Sequence, residues 1–208
     1  LILFPDADYP ADPYPGTRPD RSYVHLDGAG HSWDTAPPGW RARLPVLAYG
    51  SNACPSKITW LRAELGLTGP VAAARVRCTG LAAVWAAGVR QRDGQRPATL
   101  TALPGAVEDH FVWFVTPEQL AVLDVCEGRG NRYDLAVLED ADIRLDGELL
   151  TGVHAYVGAA PLRYPLLVDG EPVRVAEVAQ AEAAELTGDA AAGHGLACAV
   201  LPPPRTFG

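Results

Sequence analysis

The sequence predicts an α+β fold: one domain built on a curved or closed mixed sheet. Three observations carry that prediction. The inferred elements run strand, helix, three strands, helix, three strands, helix, which is neither a strict βαβ alternation nor a sandwich. One helix carries start and stop signals at both ends. Hydrophobic residues make up 48% of the 208 and charged residues 20%, enough for a packed core in a single domain with extensions.

The chain opens with an irregular arm, 1–43, in which Pro5, Pro10, Pro13, Pro15, Pro19, Pro37 and Pro38 interrupt any regular element. Its aromatics, Tyr14, Tyr23, Trp33 and Trp40, are expected to hold it against the domain, because large rings gain most from burial. A core follows over 44–158. Residues 44–49 read as a short buried strand stopped by Gly50, and 55–65 as one or two helical turns anchored by Trp60 and Leu61. Val- and Ala-rich 71–86 reads as a strand, Asp93-Gly94 as a turn, and 98–103 and 110–115 as two further strands.

The clearest helix comes next. Thr116 is a good N-cap, Pro117 suits the first helical position, Gln119 completes a capping box, and Gly128 is a natural stop after about Cys126. Residues 133–138 and 143–145 read as strands, with Asp146-Gly147 turning into a strand over 149–157. The remainder, 159–208, reads as an Ala/Glu-rich amphipathic helix over 173–186 and a tail.

A net charge of −8 argues against nucleic acid and anionic membranes as partners. Arg75, Arg77, Arg90, Arg92 and Arg96 are read as solvated surface charges. Cys54, Cys78, Cys126 and Cys198 show neither metal-ligand spacing nor a disulfide framework, so free thiols in a reducing cytoplasm are expected. The N-terminal apolar run is too short for a signal peptide or a membrane span, and the missing Met places the native start upstream or removed.

Two constellations could carry chemistry. In Tyr49-Gly50-Ser51-Asn52, between a buried strand and a helix, Gly50 permits a sharp turn and close approach of a ligand. The N–H groups that follow can form a concavity for a carboxylate or an oxyanion. An ordinary strand-to-helix turn with Ser or Asn as cap would read the same. The second is Glu127, which shares a helix face with Leu120 and Leu123 at the helix C-terminus. Burial there, and the negative end of the helix, would raise its pKa toward that of a general acid/base. A last-turn Glu that swings to solvent has the same spacing. Asp124 projects to the flank of the stripe and is read as structural, and Tyr133 either aims its hydroxyl at the pocket or is a half-buried strand aromatic. A hydrolase using Cys54 or Ser51, with His110 or His154 as base, is a further reading that no spacing ties together.

Taken together, Tyr49-Gly50-Ser51-Asn52, Leu123-Asp124-Val125-Cys126-Glu127-Gly128 and Tyr133 resemble the γ-glutamylcyclotransferase-like family over roughly 44–158. Ala53 and Cys54 depart from the large apolar residue that members often carry after the turn. The resemblance implies a six-stranded barrel-like sheet with helices around it and a pocket over the turn. It also implies that a γ-glutamyl small molecule binds at Tyr49, Gly50, Ser51, Asn52 and Tyr133. Glu127 would relay the proton as the α-amine attacks the γ-carbonyl, releasing 5-oxoproline and an amine or amino acid. No metal or cofactor is implied. A binding or regulatory module, holding a small anion on the same fold without turnover, is the alternative.

Overall fold

The computed structural model describes residues 1–205; the last three residues of the expected tail, 206–208, lie outside the described residues. The arm contains β1 (Ile2–Pro5), β2 (Tyr23–Leu26) and β3 (Ala29–His31). The core contributes β4 (Leu44–Ala48), α1 (Pro55–Leu65), β5 (Val71–Trp85), β6 (Ala98–Val115), α2 (Pro117–Glu127), β7 (Tyr133–Leu138), β8 (Asp142–Leu145), β9 (Glu148–Leu149) and β10 (His154–Gly158). Beyond it lie β11 (Leu166–Val168), β12 (Glu171–Pro172), α3 (Gln180–Glu185), β13 (Asp189–Ala190) and β14 (Cys198–Val200).

The fold is α+β, with one large mixed sheet and few helices. Its strands lie in the order β1-β3-β2-β5-β6-β4-β10-β7-β14, with β8 paired to β5 and β9 to β8. β4 and β10 are parallel and the other pairs antiparallel. Where six strands were expected the sheet has eleven among the described residues, and there its path ends at β1 and β14 without closing. A smaller sheet holds β12-β11-β13.

β4, at the centre of the sheet, is apolar along its whole length because both its faces are covered. On β4, Leu47 packs into one cluster with Ala74, Val112 and Phe114, while Val46 and Ala48 pack into another with Ile58, Leu61, Phe111, Trp113 and Leu123. The second cluster takes in the inner faces of α1 and α2 and so seats both helices over β4.

Four differences from the sequence reading have local causes. The arm is irregular only in part: around its Pro-rich stretch it forms three short strands, and β2 adds to the sheet through β5, in register Tyr23↔Ala73. Asp6 of the arm accepts hydrogen bonds from His25 and from Thr59 of α1, which ties arm to core. The strands expected at 98–103 and 110–115 are one element, β6, whose pairing with β5 shifts between Thr79 and Leu81. Gly80 and Gly105, at φ +81° and +85°, supply the left-handed backbone for that bulge. The helix expected over 173–186 begins only at Gln180. Upstream of it, Val173 and Val175 are hydrogen-bonded to Trp85 and Ala83 of β5, so the sheet outcompetes helix propensity there. Arg96, read as a surface charge, is 4% exposed; its guanidinium donates to the carbonyls of Ala86, Ala87, Ala183 and Leu186.

α2 forms as its caps require. Thr116 Oγ1 accepts from the Gln119 N–H, Gln119 Oε1 accepts from the Thr116 N–H, and Gly128 closes the helix at φ +63°. Gln119 is 2% exposed and its amide also donates to the carbonyls of Thr68 and Pro70. Replacing Thr116 with Ala is expected to lower the unfolding free energy by about 1 kcal/mol, measured by urea denaturation.

Candidate functional site

β4 ends at Ala48, and the chain turns through Tyr49 and Gly50 into a short 3-10 turn, Ser51–Ala53, before α1. Cys54 and Ser51 close that turn, with the Cys54 N–H donating to the Ser51 carbonyl. Among the described residues the N–H groups of Gly50, Ser51 and Asn52 donate to no protein acceptor. α2 follows β6 after Thr116 and delivers Glu127, its last residue, to the same place. Asn52 Nδ2 donates to Glu127 Oε1 at 2.8 Å, linking positions 75 residues apart. The Asn52 carbonyl oxygen of the side chain is buried and has no partner among the described residues.

Turn and carboxylate line one cavity of about 560 Å³, within the usual range for small-molecule sites. Tyr49 and Tyr133 line it as well, but both hydroxyl protons are engaged: Tyr49 donates to the Tyr156 carbonyl at 2.6 Å and Tyr133 to the Ala98 carbonyl at 2.8 Å. Their rings are walls. Burial pushes the Glu127 carboxyl above its usual range; the Asn52 hydrogen bond, then Lys57, Arg132 and Arg163, oppose that shift without cancelling it. Asp124 faces away, held by the Tyr156 hydroxyl at 2.7 Å and Arg129 at 2.9 Å.

Tyr14, which sequence reasoning treated only as an arm aromatic, roofs the turn. Its hydroxyl accepts from the Ala98 N–H at 3.1 Å, and burial raises its pKa to about 12, so it stays a neutral phenol. A Cβ built on Gly50 would stand 2.6 Å from that hydroxyl. Gly50→Ala is therefore expected to displace Tyr14 and open the cavity. A rise in Tyr14 exposure, read by near-ultraviolet circular dichroism against a Tyr14→Phe control, checks it. Lys57, Arg132 and Arg163 were also missed. Only the adjacency of Arg132 to Tyr133 hinted at any of them.

The hydrolase constellation does not assemble. The Cys54 thiol donates to the Tyr9 carbonyl, and burial pushes its pKa up, away from thiolate. His110 bonds to Glu108 and Arg18, and His154 to the Gly152 carbonyl. All four cysteines are free. Among the described residues no group of three or more His, Cys, Asp or Glu converges as a metal site, and no helix is long and apolar enough to cross a membrane. Compared with known proteins, the chain matches no family model, no curated protein and no solved structure.

Proposed function

We propose that the chain is a γ-glutamyl cyclotransferase on the γ-glutamylcyclotransferase-like fold. The observation that carries this reading is the 2.8 Å contact between Glu127 and Asn52, which sets one half-buried carboxylate against a turn with unclaimed N–H groups. A γ-glutamyl compound fits the parts. Its α-carboxylate and γ-carbonyl lie against the Gly50, Ser51 and Asn52 amides. Its α-ammonium faces Glu127 and the unpartnered side-chain oxygen of Asn52.

Ionised Glu127 takes one proton from the ammonium. The freed amine attacks the γ-carbonyl carbon, forming the ring C–N bond, and the turn amides stabilise the oxyanion. The bond to the leaving nitrogen breaks as Glu127 returns the proton to it; Glu127 then takes the second proton from the ring nitrogen and passes it to the released amine, so protons and electrons balance without a protein nucleophile. The products are 5-oxoproline and a free amine. Incubation with a panel of γ-glutamyl peptides and amides, with 5-oxoproline read by chromatography, tests the reading. Binding without release across the panel would favour the anion-holding module instead.

A further inference from the structure

The cavity is far more basic than the chain around it. The protein carries 25 carboxylates against 17 lysines and arginines, yet Lys57, Arg90, Arg92, Arg132 and Arg163 all line this cavity, and Glu127 is the one carboxylate that does so among the described residues. Arg90 and Arg92 share Asp93, which lies behind them on the same loop. The other three have no carboxylate partner among the described residues. The Lys57 ammonium rests 3.9 Å over the Trp60 ring. Among the described residues Arg132 donates to the carbonyls of Cys126 and Glu127, and Arg163 only to the Leu162 carbonyl at 3.4 Å, with its Nε buried and unpartnered.

These cations come from α1, from the α2–β7 loop and from the Pro161–Arg163 turn, so no single surface stripe accounts for them. The turn that carries Arg163 is pinned in place: a Cβ on Gly158 would stand 2.2 Å from the Arg163 carbonyl, and one on Gly88 would stand 2.9 Å from that of Leu162. Three cations held around one acid/base carboxylate work against its raised pKa, a cost that makes sense when they serve a ligand. The α-carboxylate of a γ-glutamyl group is already met by the turn amides.

Resting on the cyclotransfer reading, we infer that the leaving amine is itself acidic, carrying two anionic groups that Lys57, Arg132 and Arg163 receive. When the amide bond breaks, it departs as a free amine with the proton from Glu127 and its anionic groups unchanged. The test compares γ-glutamylglutamate, γ-glutamylalanine and γ-glutamylethylamide, whose leaving amines bear two, one and no carboxylates.

The expected result is a kcat/KM that falls by about tenfold or more from the first to the last, since charge-assisted hydrogen bonds carry that much. The ratio narrows in Lys57→Met and Arg163→Met and shrinks as salt is added. Equal or better turnover of the ethylamide overturns the inference and leaves the cyclotransferase standing. If no compound releases 5-oxoproline, the cyclotransfer reading fails. Calorimetric titration of the wild-type chain with the same compounds then decides the charge preference separately. Tighter binding of γ-glutamylglutamate supports it, and equal or undetectable binding of both end members overturns it.

Discussion

Glu127→Gln is expected to reduce turnover of a γ-glutamyl substrate by about 10²–10⁴-fold, the usual worth of a positioned general acid/base. The substitution keeps shape and keeps an oxygen for the Asn52 amide, so the 2.8 Å contact and the helix end survive. What disappears is the ability to accept and return a proton. Retained turnover would remove Glu127 from the mechanism.

Stability should move the other way. Burial raises the Glu127 carboxyl, so the folded state prefers its protonated form. That contribution is full below the ordinary carboxylate value of about 4.3 and is lost as pH rises through the raised value. At pH 8 the wild type therefore carries an ionised carboxylate at a cost, and the neutral amide of the variant does not. The Tm of Glu127→Gln is expected to exceed that of wild type at pH 8, with the difference closing toward pH 4. The acid limb of the wild-type kcat/KM profile should fall at a pH above the ordinary carboxylate range, because only ionised Glu127 serves as the base.

The second large effect lies away from the cavity. Glu108 on β6 is 8% exposed, and its carboxylate accepts from the Ala83 N–H at 2.9 Å, from His110 at 2.8 Å and from Arg174 at 2.8 and 3.0 Å. It fastens the 173–178 segment to the sheet. Glu108→Ala leaves the Ala83 N–H and the buried His110 Nε2 without their acceptor and strips Arg174 of its buried partner, leaving it Glu177 alone, and is expected to cost roughly 3–5 kcal/mol, or about 10 °C in Tm. A loss within 1 kcal/mol by denaturant titration would show the network to be dispensable.

Acid should loosen the same network. Burial raises the Glu108 carboxyl, but the bonds from His110, Ala83 and Arg174 outweigh it and hold it below its usual range. Burial holds His110 below the usual imidazole value and outweighs the opposing pull of Glu108. Both contributions are full above the unfolded pKa values and are lost as pH falls through the folded ones. Stability is thus expected to decline below about pH 6.5 as His110 is forced to charge, and further once Glu108 is protonated.

Elements whose signals are local could be read from the sequence. Thr116, Pro117, Gln119 and Gly128 specify α2 within a few residues of each other, and the apolar run before Gly50 specifies β4. Where partners are distant, the same reasoning misplaced structure. Val173 and Val175 lie in a stretch rich in helix formers, but their hydrogen bonds go to β5. Arg96 looks like any exposed arginine until four carbonyls from two segments close around it.

By itself the sequence determined an α+β chain with two chemically suggestive pieces, a glycine-centred turn after a buried strand and a glutamate ending a capped helix, because caps, turns and periodicity act between near neighbours. Tertiary structure alone decided that these pieces meet at 2.8 Å, that Tyr14 covers them and that three cations without a carboxylate partner among the described residues surround them. Those facts follow from how α1 and α2 seat on β4 and how the arm crosses the core, and long-range packing of that kind leaves no periodic trace in the chain.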